Sequence, residues 1–165
     1  MVWIPPPLKT ERLELVAPSH PRHPIFNDKS QPSSETDCPG LPSNWRIIMK
    51  TSKQVIGSIG YIRWVRRRPL AELGFILKHN YRNGGYMTEA AKAVIAFGFE
   101  RMHLDTVEAR SFPHNRASIR VFEKLGMQEE EILRTRLTKK GEWVDLVVYR
   151  IQKQPSLGIV PDRDG

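Results

Sequence analysis

The sequence predicts one α/β domain whose sheet is mostly antiparallel and contains a single parallel strand pair. Three observations predict this fold. The 165 residues suit one domain with a substantial core. Several segments alternate apolar and polar residues, as half-buried strands do. A strand–helix–strand unit lies in the middle of the chain, and such a unit places its two strands parallel. The predicted order is therefore β, loop, βββ, α, β, α, ββ.

The N-terminal part of the chain is rich in proline. Residues 1–9 contain three consecutive prolines and are expected to form a loose lead-in. Arg12–Leu15 alternates polar and apolar residues, which predicts the first strand. Residues 18–42 carry repeated prolines among His, Ser and Asp. This segment is expected to be an irregular insert with at most one helical turn.

Regular elements resume in the middle of the chain. Three strands are predicted in succession: Trp45–Lys50, Gln54–Trp64 and Ala71–Leu77. Apolar residues then recur at helical spacing from Met87 to Phe97, which predicts a helix. Leu104–Phe112 is typical of a strand again.

The C-terminal part predicts a second helix and a hairpin. Asn115 is a favourable N-cap for a helix that runs to Leu125, and Gly126 can close it in a left-handed conformation. Glu131–Thr138 and Glu142–Ile151 form the expected hairpin. The domain is thus expected to span residues 10–152, and residues 153–165 to form a flexible tail.

Charge and composition limit the possible functions. The net charge of +8 favours an anionic partner, whether nucleic acid, a phosphorylated cofactor or an acidic protein surface. Arg63 and the run 66–68 form the densest basic cluster, which is either a solvated hairpin tip or a docking patch. The richest apolar stretch, Ala90–Phe99, is too short for a membrane span. A single cysteine, Cys38, and the absence of a signal-peptide pattern favour a reducing, cytoplasmic setting.

A glycine-bearing turn before the first helix is a candidate anion site. The strand that ends at Leu77 leads through Asn83-Gly84-Gly85 into the helix. Free backbone amides at a helix start, together with the helix dipole, attract anions. Two glycines allow a diphosphate to approach the backbone closely. The same pair is also common in ordinary turns, and no Lys-Ser/Thr pair follows as in nucleotide-binding loops.

A second motif adds a family resemblance. About thirty residues later the chain reads Asn115-Arg116-Ala117-Ser118, and the following helix ends in Glu123-Lys124-Leu125-Gly126. With the glycine turn, this pair of motifs resembles the GNAT superfamily of N-acetyltransferases, especially the branch of ribosomal-protein N-terminal acetyltransferases. The resemblance extends from Trp45 to Arg150, and Thr10–Leu13 is similar to the opening strand of that branch.

The resemblance implies a GNAT-like sheet, splayed for coenzyme A, and an N-acetyltransferase. Acetyl-CoA would be the co-substrate, without a metal, and would lie between the strands that end at Leu77 and near Phe112. The implied cofactor-binding residues are Phe75, Ile76 and Leu77 for the pantetheine arm, the amides of Arg82, Asn83, Gly84, Gly85, Tyr86 and Met87 with the Thr88 hydroxyl for the pyrophosphate, and Asn115 for the arm. The acceptor would be a primary amine, on a protein N-terminus or a small molecule, that attacks directly in a ternary complex.

Such a reaction needs a base, oxyanion donors and an acid for the leaving thiolate. Glu72 is the first candidate base, acting through a water; its alternative is a cross-strand ion pair with an arginine. Glu108 is the second candidate, with a surface ion pair as its alternative. Asn115 would help to hold the thioester. Ser118 is the candidate acid, or it forms a local hydrogen bond at the helix start. Phe122 stands where many relatives carry a tyrosine, and it has no proton to donate.

Two departures from the family pattern leave other functions open. Asn83 replaces the first glycine of the loop, although asparagine tolerates left-handed angles. Residues 18–42 are too short for the two helices that cover the acceptor side in the family. One alternative is therefore a relative that binds acyl-CoA without turnover. Another is a basic ribosome- or nucleic-acid-binding domain, although no RNA-reading motif is visible. Membrane association is not expected, and either a monomer or a homodimer fits the sequence.

Overall fold

A computed structural model of the chain describes residues 4–17, 45–65, 67–137 and 141–155. The proline-rich insert at 18–42, Cys38, Arg66 and most of the predicted tail lie outside the described residues. No helix in the described ranges has the length and hydropathy needed to cross a bilayer.

The described residues form one eight-stranded sheet and two α-helices, which confirms the predicted α/β class. The strands are β1 (Leu8–Lys9), β2 (Leu13–Val16), β3 (Trp45–Met49), β4 (Val55–Val65), β5 (Leu70–Leu77), β6 (Thr106–Ser111), β7 (Gln128–Leu137) and β8 (Glu142–Gln152). The helices are α1 (Tyr86–Arg101) and α2 (Arg116–Lys124), and a 3₁₀ turn (His79–Tyr81) precedes α1. The strand order is β1-β2-β3-β4-β5-β6-β8-β7. Among the described strands, only β5 and β6 pair in parallel, as predicted.

Strand β1 corrects the expectation of a loose lead-in. Leu8 pairs with Leu15 across an antiparallel ladder, and the Thr10 amide donates to the carbonyl oxygen of Leu13 (3.0 Å). The prolines precede this short strand and lie outside its ladder, so they do not prevent it from forming an edge. The lead-in is thus tied to the sheet at Leu8–Lys9.

The predicted ends of α2 are confirmed by the backbone. Asn115 is its N-cap, and Gly126 beyond its C-terminus has a φ of +81°. Strand β7 begins at Gln128, three residues earlier than predicted, because the chain pairs with β8 directly after the helix. A register shift between Glu129 and Glu131 accommodates this early start.

Both helices pack against one face of the sheet, which we call the helix face. The Tyr61 hydroxyl on β4 donates to the carbonyl oxygen of Val94 in α1 (2.7 Å). Phe122 of α2 packs between Phe75 on β5 and Tyr149 on β8, with ring centroids 5.9 and 5.2 Å apart. Burial of such aromatic side chains contributes about 1.5–3 kcal/mol each to folding. These contacts fix both helices beside β5.

Glu72 and Glu108 lie on the opposite face of the sheet. Leu73 pairs in register with Tyr61 and therefore lies on the helix face. Because side chains alternate along a strand, the preceding residue Glu72 lies on the other face. Glu72 is in register with Glu108 across the parallel pair, so the two carboxylates share that face.

The parallel pair separates before either strand ends. Its last register pair is Leu73 with Ala109, whereas β5 continues to Leu77 and β6 to Ser111. Beyond Leu73, the edge of β5 that faces β6 has no ladder partner. A gap between two neighbouring strands results, next to the start of α1.

Candidate active site

The start of α1 presents backbone amides that no described residue caps. Gly85 is the N-cap residue with a φ of +77°, and it provides no side-chain cap. Asn83 adopts a left-handed φ of +65°, the conformation expected of an asparagine in place of glycine. From Asn83 to Thr88, the amides have no acceptor among the described residues. The loop is therefore free to donate to an anionic ligand.

Arg82 differs from the expectation for this loop. Its amide donates to the carbonyl oxygen of His79 in the 3₁₀ turn (3.2 Å), so it is not available to a pyrophosphate. The exposed Arg82 side chain instead lines the cavity described below. Its contribution to the site is a positive charge rather than an amide.

A cavity of about 390 Å³ lies between the loop, β5 and α2. It is lined by Ser118 and by every residue expected to hold the cofactor except Gly84. A Cβ atom at Gly84 would approach the Tyr86 ring to 2.7 Å, so a side chain there would require that ring to shift. The structure thus brings the two sequence motifs together on opposite walls of one cavity.

Four further residues of α2 line the cavity and were missed: Ala117, Arg120, Val121 and Lys124. They follow the i, i+3, i+4, i+7 spacing of one helix face. Counted from Ser118, this spacing would have identified Val121 from the sequence; the other three lie on the adjacent side of the helix.

The turn between β1 and β2 holds the loop in place, which the sequence did not predict. Arg12 donates from Nη1 to the Gly84 carbonyl oxygen (3.1 Å) and from Nε to Glu89 Oε1 (3.0 Å). Its guanidinium carbon lies 4.2 Å from the centre of the Tyr86 ring. The Thr10 hydroxyl donates to Glu89 Oε2 (2.6 Å). These contacts turn one loop carbonyl towards Arg12 and offset the acidic charge in the first turn of α1.

Asn115 and Ser118 meet at the start of α2. The Ser118 amide donates to Asn115 Oδ1 (3.2 Å), so the asparagine side chain caps the helix. This contact fixes the Asn115 side chain and leaves its Nδ2 group without a partner among the described residues. The Ser118 hydroxyl also has no partner among the described residues. The local hydrogen bond of Ser118 is made by its backbone amide and not by its hydroxyl.

A buried hydroxyl marks the end of β6. Ser111 is 7% exposed, and its Oγ has no hydrogen-bond partner among the described residues. Buried polar groups are normally satisfied by protein, water or ligand. Ser111 follows the last paired residues of the separating strands. Ser111 pairs with Val147 of β8 and does not line the cavity, so this hydroxyl is buried within the sheet.

The two candidate bases belong to one row of ion pairs. Arg110 Nε lies 2.8 Å from Glu108 Oε1 and 3.9 Å from Glu72 Oε2. Arg150 Nε lies 2.8 Å from Glu108 Oε2, and Arg63 Nε lies 3.6 Å from Glu72 Oε2. The ion pair expected at Glu108 is present. The Glu108 carboxylate is buried (3% exposed), whereas Arg110 and Arg150 remain partly exposed. The cross-strand ion pair expected for Glu72 is made by Arg63, its register partner on β4.

The environments of the two carboxylates shift their pKa values in opposite directions. Burial raises the pKa of Glu72, and its distant pairs with Arg110 and Arg63 offset only part of that rise. Burial also disfavours the charged form of Glu108, but hydrogen bonds from Arg150 and Arg110 outweigh it and lower the pKa of Glu108. Glu72 therefore holds a proton more readily, whereas Glu108 is held as a carboxylate.

Part of the basic cluster noted in the sequence lies in a turn. Arg67 and Arg68 are exposed at the turn between β4 and β5. The rings of His114 and Phe112 stack at 5.4 Å. Within the described residues, no group of three His, Cys, Asp or Glu side chains is placed to hold a metal ion.

Fold and site together define a class of protein. A parallel strand pair that separates beside an uncapped helix start is suited to an extended ligand that carries a phosphate group. The family description "Acetyltransferase (GNAT) domain" matches residues 17–128 of the chain. The chain belongs to the GNAT family of acetyltransferases, which confirms the predicted family and the predicted class of enzyme.

Individual relatives agree with this assignment. N-acetyltransferase p20 of Bacillus licheniformis is 29% identical over 131 residues, which cover 79% of this chain and 74% of that protein. The ribosomal protein uS5-alanine N-acetyltransferase of Escherichia coli is 29% identical over 97 residues, so the match covers 58% of this chain and half of that relative. The crystal structure of a GNAT-family acetyltransferase from Bacillus anthracis superimposes with a TM-score of 0.62 at 31% identity, covering 67% and 66% of the two chains.

Proposed function

We propose that this chain transfers the acetyl group of acetyl-CoA to a primary amine. One observation carries the proposal: among the described residues the amides from Asn83 to Thr88 are uncapped, and every residue of this loop except Gly84 lines a cavity that opens beside separated strands. An anion-binding helix start would hold the diphosphate, and the unpaired edge of β5 at Phe75–Leu77 would hold the pantetheine arm. When bound, the thioester supplies an activated acetyl group.

The positions of Asn115 and Ser118 favour roles next to that thioester. Asn115 lines the cavity with its Oδ1 fixed as a helix cap, which leaves its Nδ2 as a donor to the arm. The Ser118 hydroxyl lines the same cavity and is not used by the protein among the described residues. Ser118 is therefore the proposed acid that protonates the departing thiolate.

Glu72 is the proposed base because it lies beside the gap on the face of the sheet opposite the helices and because burial raises its pKa. The cavity lies on the helix face of β5, whereas Glu72 lies on the opposite face, next to the last paired residues before the gap. An amine that enters from that face would reach the gap beside Glu72. A carboxylate whose pKa is raised by burial is a better proton acceptor near neutral pH than one whose pKa is lowered. Glu108, saturated by two arginines, is not proposed for this step.

The acceptor is proposed to be a primary amine on a protein N-terminus or a small molecule. The ion-pair row balances its acidic charge with arginines, so it does not by itself select a cationic acceptor. The E. coli relative is named for an alanine of a ribosomal protein. Peptides with an N-terminal alanine are therefore the first acceptors to test.

Calorimetry with acetyl-CoA tests the cofactor site directly. Gly85→Trp places a large side chain where a diphosphate must approach, so we expect it to weaken acetyl-CoA binding at least a hundredfold. Gly141→Trp is the matched control, because Gly141 also has a positive φ (+65°) and no atom of the described residues lies within 4 Å of its Cβ position. Both variants carry a similar backbone strain of about 1–2 kcal/mol. Unchanged affinity in Gly85→Trp would remove the loop from the site.

Thiol release with a panel of amines then tests turnover. A second function, binding of acyl-CoA without transfer, is favoured by one observation: both candidate bases are ion-paired. Tight binding with no thiol release for any peptide or amine would support this second function. Release that depends on one acceptor class would support the transferase.

A further inference from the structure

Strand β7 forms one edge of the sheet and offers its outer side to a further strand. It spans ten residues, Gln128–Leu137, and pairs with β8 alone among the described strands. The outer side of an edge strand carries backbone amides and carbonyls that can pair with another strand. No proline interrupts β7. The edge can therefore extend the sheet, and its side chains decide which strand it accepts.

An exposed apolar side chain lies in the middle of this edge. Ile132 is 63% exposed and lies in register with Val147 of β8. Because side chains alternate along a strand, Glu130 and Arg134 lie on the same face of the sheet as Ile132. A single exposed isoleucine is common on protein surfaces, so it does not by itself indicate an interface. The charges on either side of it indicate the partner.

The charges of β7 are separated along the strand. Its three acidic residues, 129–131, come before Ile132, and its two arginines, Arg134 and Arg136, come after it. A second β7 that runs in the opposite direction would place its arginines beside these acidic residues and its acidic residues beside these arginines. The strand is therefore complementary in charge to an antiparallel copy of itself, whereas a parallel copy would bring like charges together.

The charges two residues on either side of Ile132 are not neutralised within the chain. Glu130 and Arg134 are both exposed, and neither has an ion-pair partner among the described residues. The guanidinium carbon of Arg134 lies 5.9 Å from the centre of the Trp143 ring, a contact that uses none of its hydrogen-bond donors. Glu130 and Arg134 are thus available to groups on a partner.

We propose that β7 pairs with β7 of a second copy in an antiparallel register centred on Ile132, so that the protein is a homodimer with one continuous sheet. A two-fold axis at this residue places the two isoleucine side chains opposite each other, where each covers the other. The same register places Glu130 of each copy directly opposite Arg134 of the other, which forms two equivalent ion pairs. A register centred on Leu133 would instead place Arg134 opposite Ile132. The interface lies outside the cavity and is independent of the proposed function.

Charge reversal tests the pairing. E130K alone brings two positive charges together at each proposed ion pair, and R134E alone brings two negative charges together. We expect each variant to raise the dissociation constant of the dimer about thirtyfold, because both pairs become repulsive. Mixed in equal amounts, the two variants restore opposite charges at both pairs and should form a heterodimer with nearly the wild-type dissociation constant. Sedimentation velocity over a range of protein concentrations measures each sample.

R136E is the matched control on the same strand. It makes the same change of charge as R134E, but in the proposed register its position faces Gln128, which is uncharged. R136E alone should therefore keep the dissociation constant within about threefold of wild type. It should also associate with E130K no better than the wild type does. Far-ultraviolet circular dichroism that matches the wild type would show that the variants are folded.

A wild type that sediments as a monomer at every concentration would overturn the second copy as the occupant of this edge. Dimers that persist in both E130K and R134E would place the interface elsewhere and overturn the proposal as well. A mixture that associates no more tightly than either variant alone would have the same consequence. Rescue of E130K by R136E in place of R134E would overturn the register centred on Ile132.

Discussion

At the scale of single residues, the site depends on environments that residue type does not reveal. Glu72 and Glu108 are the same residue in register on neighbouring strands. Arg110 and Arg150 both donate to Glu108 at 2.8 Å, whereas no arginine nitrogen lies within 3.5 Å of Glu72 among the described residues. The charge of Glu108 is therefore neutralised by two close arginines, whereas the charge of Glu72 is neutralised only in part.

Replacing each glutamate with glutamine should change stability in opposite directions. Burial penalises the charged form of Glu72 and raises its pKa on folding. Glu72 therefore stabilises the fold at a pH below its pKa in the unfolded chain, and this stabilisation is lost as the pH rises through its pKa in the folded protein. Glu72→Gln mimics the protonated form and should raise the free energy of unfolding at pH 7. If Glu72 is the base, the same variant should lower kcat/KM about a hundredfold without changing acetyl-CoA affinity.

Glu108→Gln should instead destabilise the protein by about 3 kcal/mol at pH 7, because it leaves two arginines facing a neutral amide. The pKa of Glu108 is lowered, so its contribution is present above the unfolded pKa of about 4.3 and is lost as pH falls through the folded pKa. The difference from wild type should therefore shrink below about pH 4. Urea unfolding at several pH values measures both variants. A loss of stability in Glu72→Gln similar to that in Glu108→Gln would contradict the distinction.

Ser118→Ala tests the proposed acid. We expect kcat to fall about a hundredfold, the lower end of the effect of a general acid, while the Kd for acetyl-CoA stays constant. Stability should change little, because the Asn115 cap bonds the Ser118 amide and not its hydroxyl. Ser52→Ala, in the exposed turn before β4, is a control that should leave kcat unchanged. Steady-state kinetics with a peptide acceptor would decide, and an unaltered kcat would reduce Ser118 to a helix residue.

At the scale of elements, the start of α1 is prepared by the β1–β2 turn. A helix N-terminus attracts anions only if its amides remain free and correctly directed. Arg12 bonds the Gly84 carbonyl and Glu89, which holds the loop without capping its amides. The pKa of Glu89 is lowered despite burial, because Thr10 and Arg12 donate to its carboxylate. The edge hairpin therefore acts as a support for the proposed diphosphate site.

Arg12→Ala should loosen the loop and weaken acetyl-CoA binding about tenfold, with a smaller effect on kcat. The effect should be confined to the diphosphate, so the kcat/KM for acetyl-pantetheine, which lacks that group, should stay within twofold of wild type. Lys92→Ala, on the exposed side of α1, is the matched removal of a positive charge. Equal losses with both acyl donors would show that Arg12 supports the fold in general and not the loop.

Most elements were predictable because their signals are local. The helix α2 has its cap, its closing glycine and its apolar spacing within a dozen residues, and the structure places it where predicted. The short strand β1 was missed because its only stabilising ladder comes from pairing with β2, and neighbouring prolines suggested a loop. Element ends such as Gln128 depend on partner strands and are therefore not fixed by local pattern.

At the scale of the whole molecule, the decisive feature is where the parallel pair separates. Pairing ends at Leu73 and Ala109, so the last residues of β5 hold an unused hydrogen-bonding edge beside the cavity. A ligand that binds this edge completes the sheet locally and links β5 to the loop and α2. Binding should therefore stabilise the centre of the molecule more than its edges.

Coenzyme A binding should be visible as local protection from amide exchange. We expect protection at Gly74–Leu77 and at Asn83–Thr88, and little change in the distant β7–β8 hairpin. At a free ligand concentration one hundred times Kd, the free energy of unfolding should rise by about 2.7 kcal/mol. Hydrogen-exchange mass spectrometry and urea unfolding with and without ligand measure the two effects. Protection spread evenly over the sheet, with none in the loop, would contradict this binding mode.

The sequence by itself predicted the elements and the class of fold, because caps, glycine turns and apolar periodicity act over short distances. Its resemblance to a family implied most of the residues that line the cavity. Only the tertiary structure decided which groups are already satisfied. It showed that the Arg82 amide is used by the 3₁₀ turn, that Glu108 is saturated by arginines and that Arg12 supports the loop. Hydrogen bonds and burial between residues far apart in the chain depend on how the strands pair, and that pairing sets the charge and the donors available to a ligand.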